Sequence, residues 1–427
     1  MKIAIIGAGI AGLTAAHRLD PDHDVTVFEA GSHVGGHTNT ITVEDPVRGA
    51  RAIDTGFIVL NDRTYPHFTA LLSELGVATQ PTHMGFSVSA DEALGDFEYA
   101  GTPRGLFCQP RNLLRPAFHR MLADLLRFNR ELERERASGG DLTLGELLDR
   151  GGYSSFFVQR LVVPQVSAVW SADPEQMWTF PVRFLADFFH NHGMLSLRDR
   201  PQWQTVTGGS QTYVKAIERG LTRAVRTQTP VTGITRLPRH VDVATAGAVE
   251  RFDEVVLACH SDQALALLTD PTGAERKILG AIPYQDNEAV LHTDARLLPR
   301  RRAARQAWNF HLLAEPKDRT TVTYWMNHLQ RLHAPVDYCV TLNLTERIDP
   351  ASIIRTIPYA HPVFTPAGVA AQARHGEISG VRRTRYCGAY WRWGFHEDGV
   401  WSALQAIAGL RPAAAAVDPH TLAELAA

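Results

Sequence analysis

Cysteine and lysine are both scarce in this chain of 427 residues, and each scarcity excludes a class of site. The four cysteines lie far apart and form no CxxC pair, which argues against a zinc site and against a disulfide framework. They are Cys108, Cys259, Cys339 and Cys387. This distribution fits the reducing cytoplasm, where we expect the protein to reside. Only four of the 43 basic residues are lysine, so a catalytic lysine has few candidate positions.

Long apolar runs and a strong net charge are also absent. No apolar run approaches the roughly 18 residues that a membrane span requires. A secretory signal peptide is another interpretation of the apolar N-terminus, but three glycines interrupt that run and disfavour it. The net charge of −2 supplies no overall field to attract nucleic acid, so no nucleic-acid partner is expected. A hydrophobic content of 44% and a charged content of 21% are typical of a soluble enzyme, here long enough for two domains.

The first 36 residues are the most informative part of the chain. A buried strand over residues 1–6 leads into Gly7-Ala8-Gly9-Ile10-Ala11-Gly12, then a helix and a second strand that ends on Glu29. Gly7 permits the tight turn, Gly9 lets a pyrophosphate approach the backbone, and Gly12 lets the helix pack closely on the sheet. Glu29 can accept hydrogen bonds from ribose hydroxyls. The pattern predicts a dinucleotide site with the phosphates at the N-terminus of the helix.

Alternating strands and helices are predicted along the rest of the chain. We expect a strand and turn over 52–59, a helix from Tyr65 to about Leu75, a strand around 86–88, helices over 142–200, a helix opened by 207–210, strands at 230–234, 241–243 and 252–259, a helix over 262–268, strands around 289–291, 320–325 and 338–344, and a return to the first domain at Tyr386.

Residues 104–136 form a predicted helical section in which apolar residues and arginines recur at helical spacing. The apolar residues are Leu113, Leu114, Phe118, Met121, Leu122, Leu125 and Leu126, and Arg111, Arg115, Arg120 and Arg127 lie among them. A solvated helix face is the favoured interpretation. Peripheral contact with a lipid headgroup surface is the alternative.

Three groups of residues carry a resemblance to a known family. They are the glycine loop with Glu29 and Gly35-Gly36, the strands 231–234 and 255–259, and the run from Tyr386 to Gly399. With these motifs the chain resembles the flavin amine oxidase and phytoene desaturase superfamily. It is most similar to the bacterial branch known as predicted NAD/FAD-binding proteins, through residues 54–61, 188–193, 203–210 and 394–399.

The resemblance implies an α/β fold. A discontinuous Rossmann-like FAD-binding domain of the GR2 type would be formed by 1–65, 206–270 and 376–427, with an inserted α+β substrate domain formed by 66–205 and 271–375. Gly35-Gly36 provides a second backbone approach, which favours FAD over NAD. The FAD is expected to be non-covalent, because Cys387 lies in the wrong motif for attachment.

The resemblance also implies a set of cofactor-binding residues. The turn over 397–399 would direct helix N–H groups at the pyrimidine edge of the flavin, where they stabilise the reduced anion of the flavin. The cofactor-binding residues are Gly7, Gly9, Ala11, Gly12, Glu29, Ala30, Gly36, His37, Thr55, Gly56, Phe57, Val231, Ala258, Gly388, Phe395, Glu397 and Asp398.

Two departures from the family pattern bear on the reaction. Ala389 stands where family members commonly place an acidic residue. Many amine oxidases also carry a lysine that holds a water near the flavin, and the corresponding stretch 284–292 has none. We therefore expect hydride removal from a C–H bond of a small apolar, fatty-acyl or lipid-like substrate. A flavin amine or amino-acid oxidase, a fatty-acid double-bond isomerase, and a non-catalytic flavin or membrane-surface protein are the alternatives.

The candidate catalytic residues are His192, His396 and Glu397, and no metal site is predicted. His190 and His192 would share one face of a strand, but no carboxylate or cysteine cluster lies near them in sequence to complete a metal site. A substrate-pocket role and a packed structural role both remain open for this pair.

Overall fold

A computed structural model describes residues 1–45, 49–170, 176–195 and 200–410. The strands are β1 (Lys2–Ile6), β2 (Asp24–Phe28), β3 (Thr40–Asp45), β4 (Gly49–Asp54), β5 (Val59–Asn61), β6 (Thr79–Pro81), β7 (Phe86–Ala90), β8 (Glu98–Ala100), β9 (Trp203–Val206), β10 (Val231–Arg236), β11 (Val241–Thr245), β12 (Val249–Phe252), β13 (Glu254–Leu257), β14 (Tyr284–His292), β15 (Trp308–Leu312), β16 (Val322–Trp325), β17 (Cys339–Leu342), β18 (Ile353–Pro362) and β19 (Thr384–Tyr386).

Helices lie between these strands. They are α1 (Ile10–Leu19), α2 (Pro66–Glu74), α3 (Pro103–Leu106), α4 (Pro116–Ser138), α5 (Leu144–Gly151), α6 (Ser155–Phe157), α7 (Val163–Trp170), α8 (Val182–Asn191), α9 (Gln211–Gly220), α10 (Ser261–Leu267), α11 (Gly273–Leu279), α12 (Met326–Leu329), α13 (Pro366–Gln372) and α14 (His396–Ile407).

A parallel sheet in the order β19-β13-β1-β2 forms the centre of the first domain. Ile3 and Ile5 of β1 are completely buried, as expected for a strand covered on both faces. The chain enters this sheet three times, through β1–β2, β13 and β19, which confirms the discontinuous α/β architecture. The domain boundaries stay a prediction, and residues 411–427 of the last segment lie outside the described residues.

A second, mixed sheet in the order β18-β14-β17-β16-β15-β7-β8 forms the core of the inserted part. Its strands pair antiparallel except for β15 and β7, which are parallel. Helices α4 to α8 pack against one end of this sheet around a core rich in phenylalanine. The inserted part is therefore α+β, as predicted.

Two local predictions were wrong. The strand expected over 252–259 is divided at Asp253 into β12 and β13, which belong to different sheets. Leu113 and Leu114 were expected on an apolar helix face, but they are 54% and 86% exposed. They end a 3₁₀ turn over Pro110–Leu114, before α4 begins, so helical spacing does not apply to them.

Among the described residues, no helix combines the length and the apolar character that crossing a bilayer requires. Within the same part of the chain, no group of three or more histidines, cysteines or carboxylates is arranged to hold a metal ion.

Candidate functional site

The glycine loop between β1 and α1 is built as the sequence predicts. Gly7 has a φ of +104°, and a methyl group on it would lie 2.8 Å from the Ala258 carbonyl oxygen at the end of β13. A methyl group on Gly12 would lie 1.9 Å from the Gly7 carbonyl oxygen. Both positions therefore require glycine, and the close packing brings α1 to the carboxyl end of the parallel sheet.

Gly9 lies at the point where a ligand can approach the backbone. A methyl group here would meet no atom within 4 Å, and no side chain caps the N-terminus of α1. The Gly36 backbone approaches from the other side, since a methyl group there would lie 3.1 Å from Gly9 Cα. The two glycine segments are tied together by the Gly35 N–H, which donates to the Ala8 carbonyl at 2.9 Å. Open space at an uncapped helix N-terminus is the arrangement that phosphates bind.

Glu29 follows β2 and is half-buried. Its carboxylate accepts hydrogen bonds from Ala8 N at 2.9 Å and Gly31 N at 2.8 Å, which hold it beside the glycine loop. Ala30 is exposed next to it. The Thr229 N–H donates to the Glu29 carbonyl at 2.9 Å, and this contact brings the start of β10, with Val231, to the same edge.

The predicted flavin-side residues also converge. The Phe57 N–H donates to the His37 carbonyl at 2.7 Å, and a methyl group on Gly56 would lie 2.2 Å from the same oxygen. Gly399, in the first turn of α14, packs so tightly on α1 that a methyl group would lie 2.7 Å from Ile10 Cγ2. The N-termini of α1 and α14 therefore meet at one place, with Ala11 buried between them.

His396 is buried at the first position of α14. Its ring stacks on Phe57 with centroids 3.5 Å apart, and its Nε2 lies 2.8 Å from Thr38 Oγ1 and 3.1 Å from Tyr213 OH. Burial lowers the pKa of His396 to about 3, so the ring is neutral at physiological pH. The sequence did not single out Thr38 or Tyr213, because each lies just beyond the residues that its motif identifies and they come together only in the folded chain.

Glu397 and Asp398 hold the first turn of α14 in place. The Glu397 carboxylate accepts hydrogen bonds from His67 N at 3.2 Å and Phe68 N at 2.9 Å, and it contacts His67 Nδ1 at 2.5 Å. It therefore caps α2. The Asp398 carboxylate accepts the Phe395 N–H at 2.9 Å, and burial raises its pKa to about 7. Gly388 is fixed against the same helix, since its N–H donates to Ser402 Oγ at 2.9 Å.

A cavity of about 420 Å³ opens beside Gly36 and His37. The His37 ring stacks on Tyr359 with centroids 4.9 Å apart and lies 5.1 Å from the His361 ring. His37 Nε2 is buried with no hydrogen-bond partner in the described structure, so it is a polar atom that a bound ligand or a water could satisfy. Burial, followed by the nearby His361, lowers the pKa of His37 well below its ordinary value.

Sequence reasoning missed two residues of β18: Tyr359, which lines this cavity, and His361, whose ring lies against His37. Their spacing of two residues places them on one face of the strand, which is the signal that could have found them. The Tyr359 hydroxyl lies 3.0 Å from Thr55 Oγ1, and His361 Nδ1 lies 3.0 Å from the Asn287 amide of β14. Burial, followed by His260, lowers the pKa of His361 to about 4.

His190 and His192 do not share a strand face as expected. They lie at the C-terminal end of helix α8, where a spacing of two residues directs the side chains to different sides. His190 is on the surface and contacts Glu133 at 2.7 Å. His192 is buried, with its ring stacked on Phe188 at 3.9 Å and its Nδ1 2.9 Å from the Phe188 carbonyl oxygen. Burial lowers the pKa of His192 to about 4.

Aromatic rings connect α8 to the N-terminus of α14. We call this set the aromatic wall; it consists of Phe184, Phe188, Phe364, Trp393 and Phe395. Phe188 stacks on Phe395 with centroids 5.1 Å apart, and Phe184 stacks on Phe364 at 5.0 Å. Phe395 contacts both the core of the first domain and the phenylalanine-rich core of the inserted part. The wall therefore ends beside the predicted flavin side of the site.

Solved structures of known proteins share this architecture at low sequence identity. A cyclohexylamine oxidase from Brevibacterium oxydans IH-35A is similar with a TM-score of 0.68 and 17% identity, covering 96% of this chain and 98% of that one. A CLA-producing fatty acid isomerase from P. acnes is similar with a TM-score of 0.65 and 15% identity, covering 96% and 98%. At these identities the likeness shows the fold.

Sequence similarity to curated proteins is local. A 4,4'-diapophytoene desaturase (4,4'-diaponeurosporene-forming) from Staphylococcus aureus (strain Newman) is 52% identical over 42 residues, which cover 10% of this chain and 8% of the desaturase. The sequence profile of the flavin containing amine oxidoreductases, by contrast, matches residues 10–292, well over half of the chain. This chain belongs to the family of flavin containing amine oxidoreductases, and its cofactor is FAD.

Proposed function

We propose that this FAD-dependent oxidoreductase removes a hydride from a C–H bond of an apolar substrate, in the manner of a desaturase. The aromatic wall carries the proposal, because its apolar rings pack in a continuous series from α8 to Phe395 at the N-terminus of α14. Apolar rings favour an apolar substrate and keep water away from the reacting carbon. A fatty-acyl or other lipid-like chain is the substrate class that matches them.

The residues proposed to hold FAD follow from the geometry. The open space at Gly9 and the uncapped N-terminus of α1 would take the pyrophosphate, and Glu29 would accept hydrogen bonds from a ribose. The backbone at Gly56 and Phe57, with the first turn of α14, would contact the ring system. When bound, FAD supplies the acceptor for the hydride.

The three candidate catalytic residues have different proposed roles. His192 lies against the aromatic wall, in contact with Phe188, and is neutral near pH 7. It is therefore the candidate closest to an apolar substrate. His396 and Glu397 are proposed as positioning residues, since their polar atoms are engaged by Thr38, Tyr213 and the N-terminus of α2.

Oxidation of an amine is the second candidate function. The family name supports it, and so does the polar pair formed by Asn287 on β14 and His361 on β18. Asn287 lies in the strand where many amine oxidases carry the lysine, and the neutral polar atoms of Asn287 and His361 can hold a water instead. Under this alternative, Asn287→Ala would slow amine oxidation and leave any turnover of apolar substrates unchanged.

Product analysis tests the proposal. The FAD-loaded protein is incubated with fatty acids of different chain length and with primary and secondary amines, and the products are identified by mass spectrometry. Loss of a pair of hydrogens from a fatty acid supports the desaturase proposal. An isomer of unchanged mass, formed without an electron acceptor, would indicate a double-bond isomerase, and an aldehyde or imine from an amine would indicate the second candidate.

A further inference from the structure

Two arginines of the inserted part share the same pair of aromatic rings. The guanidinium carbon of Arg115 lies 5.8 Å from the Phe97 ring centroid and 5.4 Å from that of Phe156. The guanidinium carbon of Arg160 lies 5.5 Å and 5.8 Å from the same two centroids. Two positive charges are therefore held close together on one aromatic platform.

Neither arginine has a carboxylate partner among the described residues. The Nη1 atoms of both Arg115 and Arg160 are buried without a hydrogen-bond acceptor in that part of the chain. Among the described residues, the only hydrogen bond from either guanidinium group runs from Arg160 Nη2 to the Leu94 carbonyl oxygen, at 3.2 Å. Burial, followed by the charge of Arg115, lowers the pKa of Arg160. An anion beside the two guanidinium groups would give their unused donors an acceptor and would offset the repulsion between the like charges.

The surface next to Arg115 is apolar and basic. Leu113 and Leu114 immediately precede it, and their exposed fractions are 54% and 86%. The segment 101–123 contains four arginines and no acidic residue. Arg111 lies 3.5 Å from Asp96, and Arg120 lies 3.8 Å from Asp124. The other two arginines of the segment, Arg104 and Arg115, have no carboxylate partner among the described residues. Exposed leucines beside unpaired arginines are typical of segments that bind at the surface of an anionic bilayer.

We propose that residues 104–120 dock this protein on a bilayer containing anionic lipids. Leu113 and Leu114 enter the boundary between headgroups and acyl chains, and the Arg115–Arg160 pair holds a lipid phosphate. An exposed pair of leucines lowers the solubility of a protein. A bilayer would bury the leucines, and a lipid phosphate would neutralise the two arginines. The proposal is independent of the reaction catalysed, because binding to vesicles needs no turnover.

Sedimentation with vesicles tests this docking surface. We expect the FAD-loaded protein to sediment with phosphatidylglycerol vesicles and to remain in the supernatant with phosphatidylcholine vesicles. Leu113→Ser with Leu114→Ser should weaken binding roughly tenfold or more, since two leucines no longer leave water. Arg115→Gln should weaken binding to phosphatidylglycerol roughly fivefold, the usual contribution of one basic residue.

A matched control uses an exposed leucine and an exposed arginine from the first domain. Leu237→Ser with Arg251→Gln changes the same residue types far along the chain, and binding should stay at the level of the unchanged protein. Unchanged FAD content and melting temperature in every variant show that folding is intact. Equal binding to both vesicle types, no loss in the leucine variant, or binding of inorganic phosphate without any binding to vesicles would overturn the proposal.

Discussion

Gly9 is the residue at which the absence of a side chain matters most for cofactor binding. Its φ of −75° suits any amino acid, and a methyl group would meet no protein atom within 4 Å. The protein alone therefore tolerates alanine here, whereas the space that the methyl group would fill is the space assigned to the pyrophosphate. The fold therefore does not require glycine at position 9, but binding of the pyrophosphate does.

Gly9→Ala should lower the affinity for FAD by roughly tenfold or more, or about 1.4 kcal/mol, while the melting temperature of the FAD-free protein stays the same. Titration of the FAD-free protein with FAD, followed by flavin fluorescence, measures the affinity. Gly273→Ala is the control, because a methyl group there also meets no atom within 4 Å and lies at the start of α11. Equal FAD affinity in the two variants would contradict the assigned position of the pyrophosphate.

His192 should make the folded protein sensitive to acid. Burial lowers its folded-state pKa from 6.5 to about 4, so the unfolded chain takes up a proton more readily. The stability that the neutral ring contributes is complete above pH 6.5 and is lost as the pH falls toward 4, by roughly 3 kcal/mol. His192→Gln removes this dependence, so its free energy of unfolding should fall less between neutral and acid pH.

Urea unfolding at several pH values measures the difference for His192→Gln. The exposed neighbour His190 provides the comparison, because His190→Gln keeps the buried His192 and should lose more stability in acid than His192→Gln. If His192→Gln loses as much free energy of unfolding in acid as the unchanged protein, then protonation of a buried, neutral His192 does not cause the acid sensitivity.

At the scale of elements, the junction between α14 and α2 positions the candidate site. Glu397, in the first turn of α14, accepts the N–H groups of His67 and Phe68 and so fixes α2. Glu397→Gln keeps the size of the side chain but loses the charge-assisted bonds, which contribute about 1.5–3 kcal/mol each to stability. We expect a lower melting temperature and a smaller fraction of bound FAD.

Thermal unfolding with a parallel measurement of FAD content tests the role of Glu397. Glu377→Gln is the matched control, because Glu377 forms an exposed ion pair with Arg374 that solvent screens. Its melting temperature should change little. If Glu397→Gln melts at the same temperature as Glu377→Gln, the α14–α2 contact does not organise the site.

Elements with local signals could be predicted from the sequence, and elements formed by distant pairing could not. The unit β1-α1-β2 follows from apolar runs and glycine positions that lie within 36 residues. The order of the second sheet does not, because β15 pairs with β7 from a segment more than 200 residues earlier. His361 escaped notice for the same reason, since its partners Asn287 and His37 lie far away in sequence.

At the scale of the whole molecule, the first domain is assembled from three separate parts of the chain. β1, β13 and β19 lie side by side, so the sheet is complete only when all three parts come together, and the glycine loop packs on Ala258 at the end of β13. The FAD site therefore exists only in the folded protein, and binding must stabilise the fold by mass action.

Thermal unfolding with and without FAD tests this coupling. FAD at a hundredfold excess over its dissociation constant should add about 2.7 kcal/mol to the free energy of unfolding and raise the melting temperature. AMP, which lacks the flavin half, is the control and should give a smaller increase. An unchanged melting temperature with FAD would mean that the cofactor does not bind the assembled three-part domain.

The most direct test of the proposed reaction is the anaerobic reduction of the bound FAD in a single turnover. The protein is mixed without oxygen with a fatty acid or with an amine, and the loss of the oxidised flavin absorbance is followed in time. Fatty-acyl substrates should bleach the flavin, and amines should not. Phe188→Ala, which removes a ring from the aromatic wall, should slow the bleaching. Bleaching by amines, with none by any apolar substrate, would contradict the proposal.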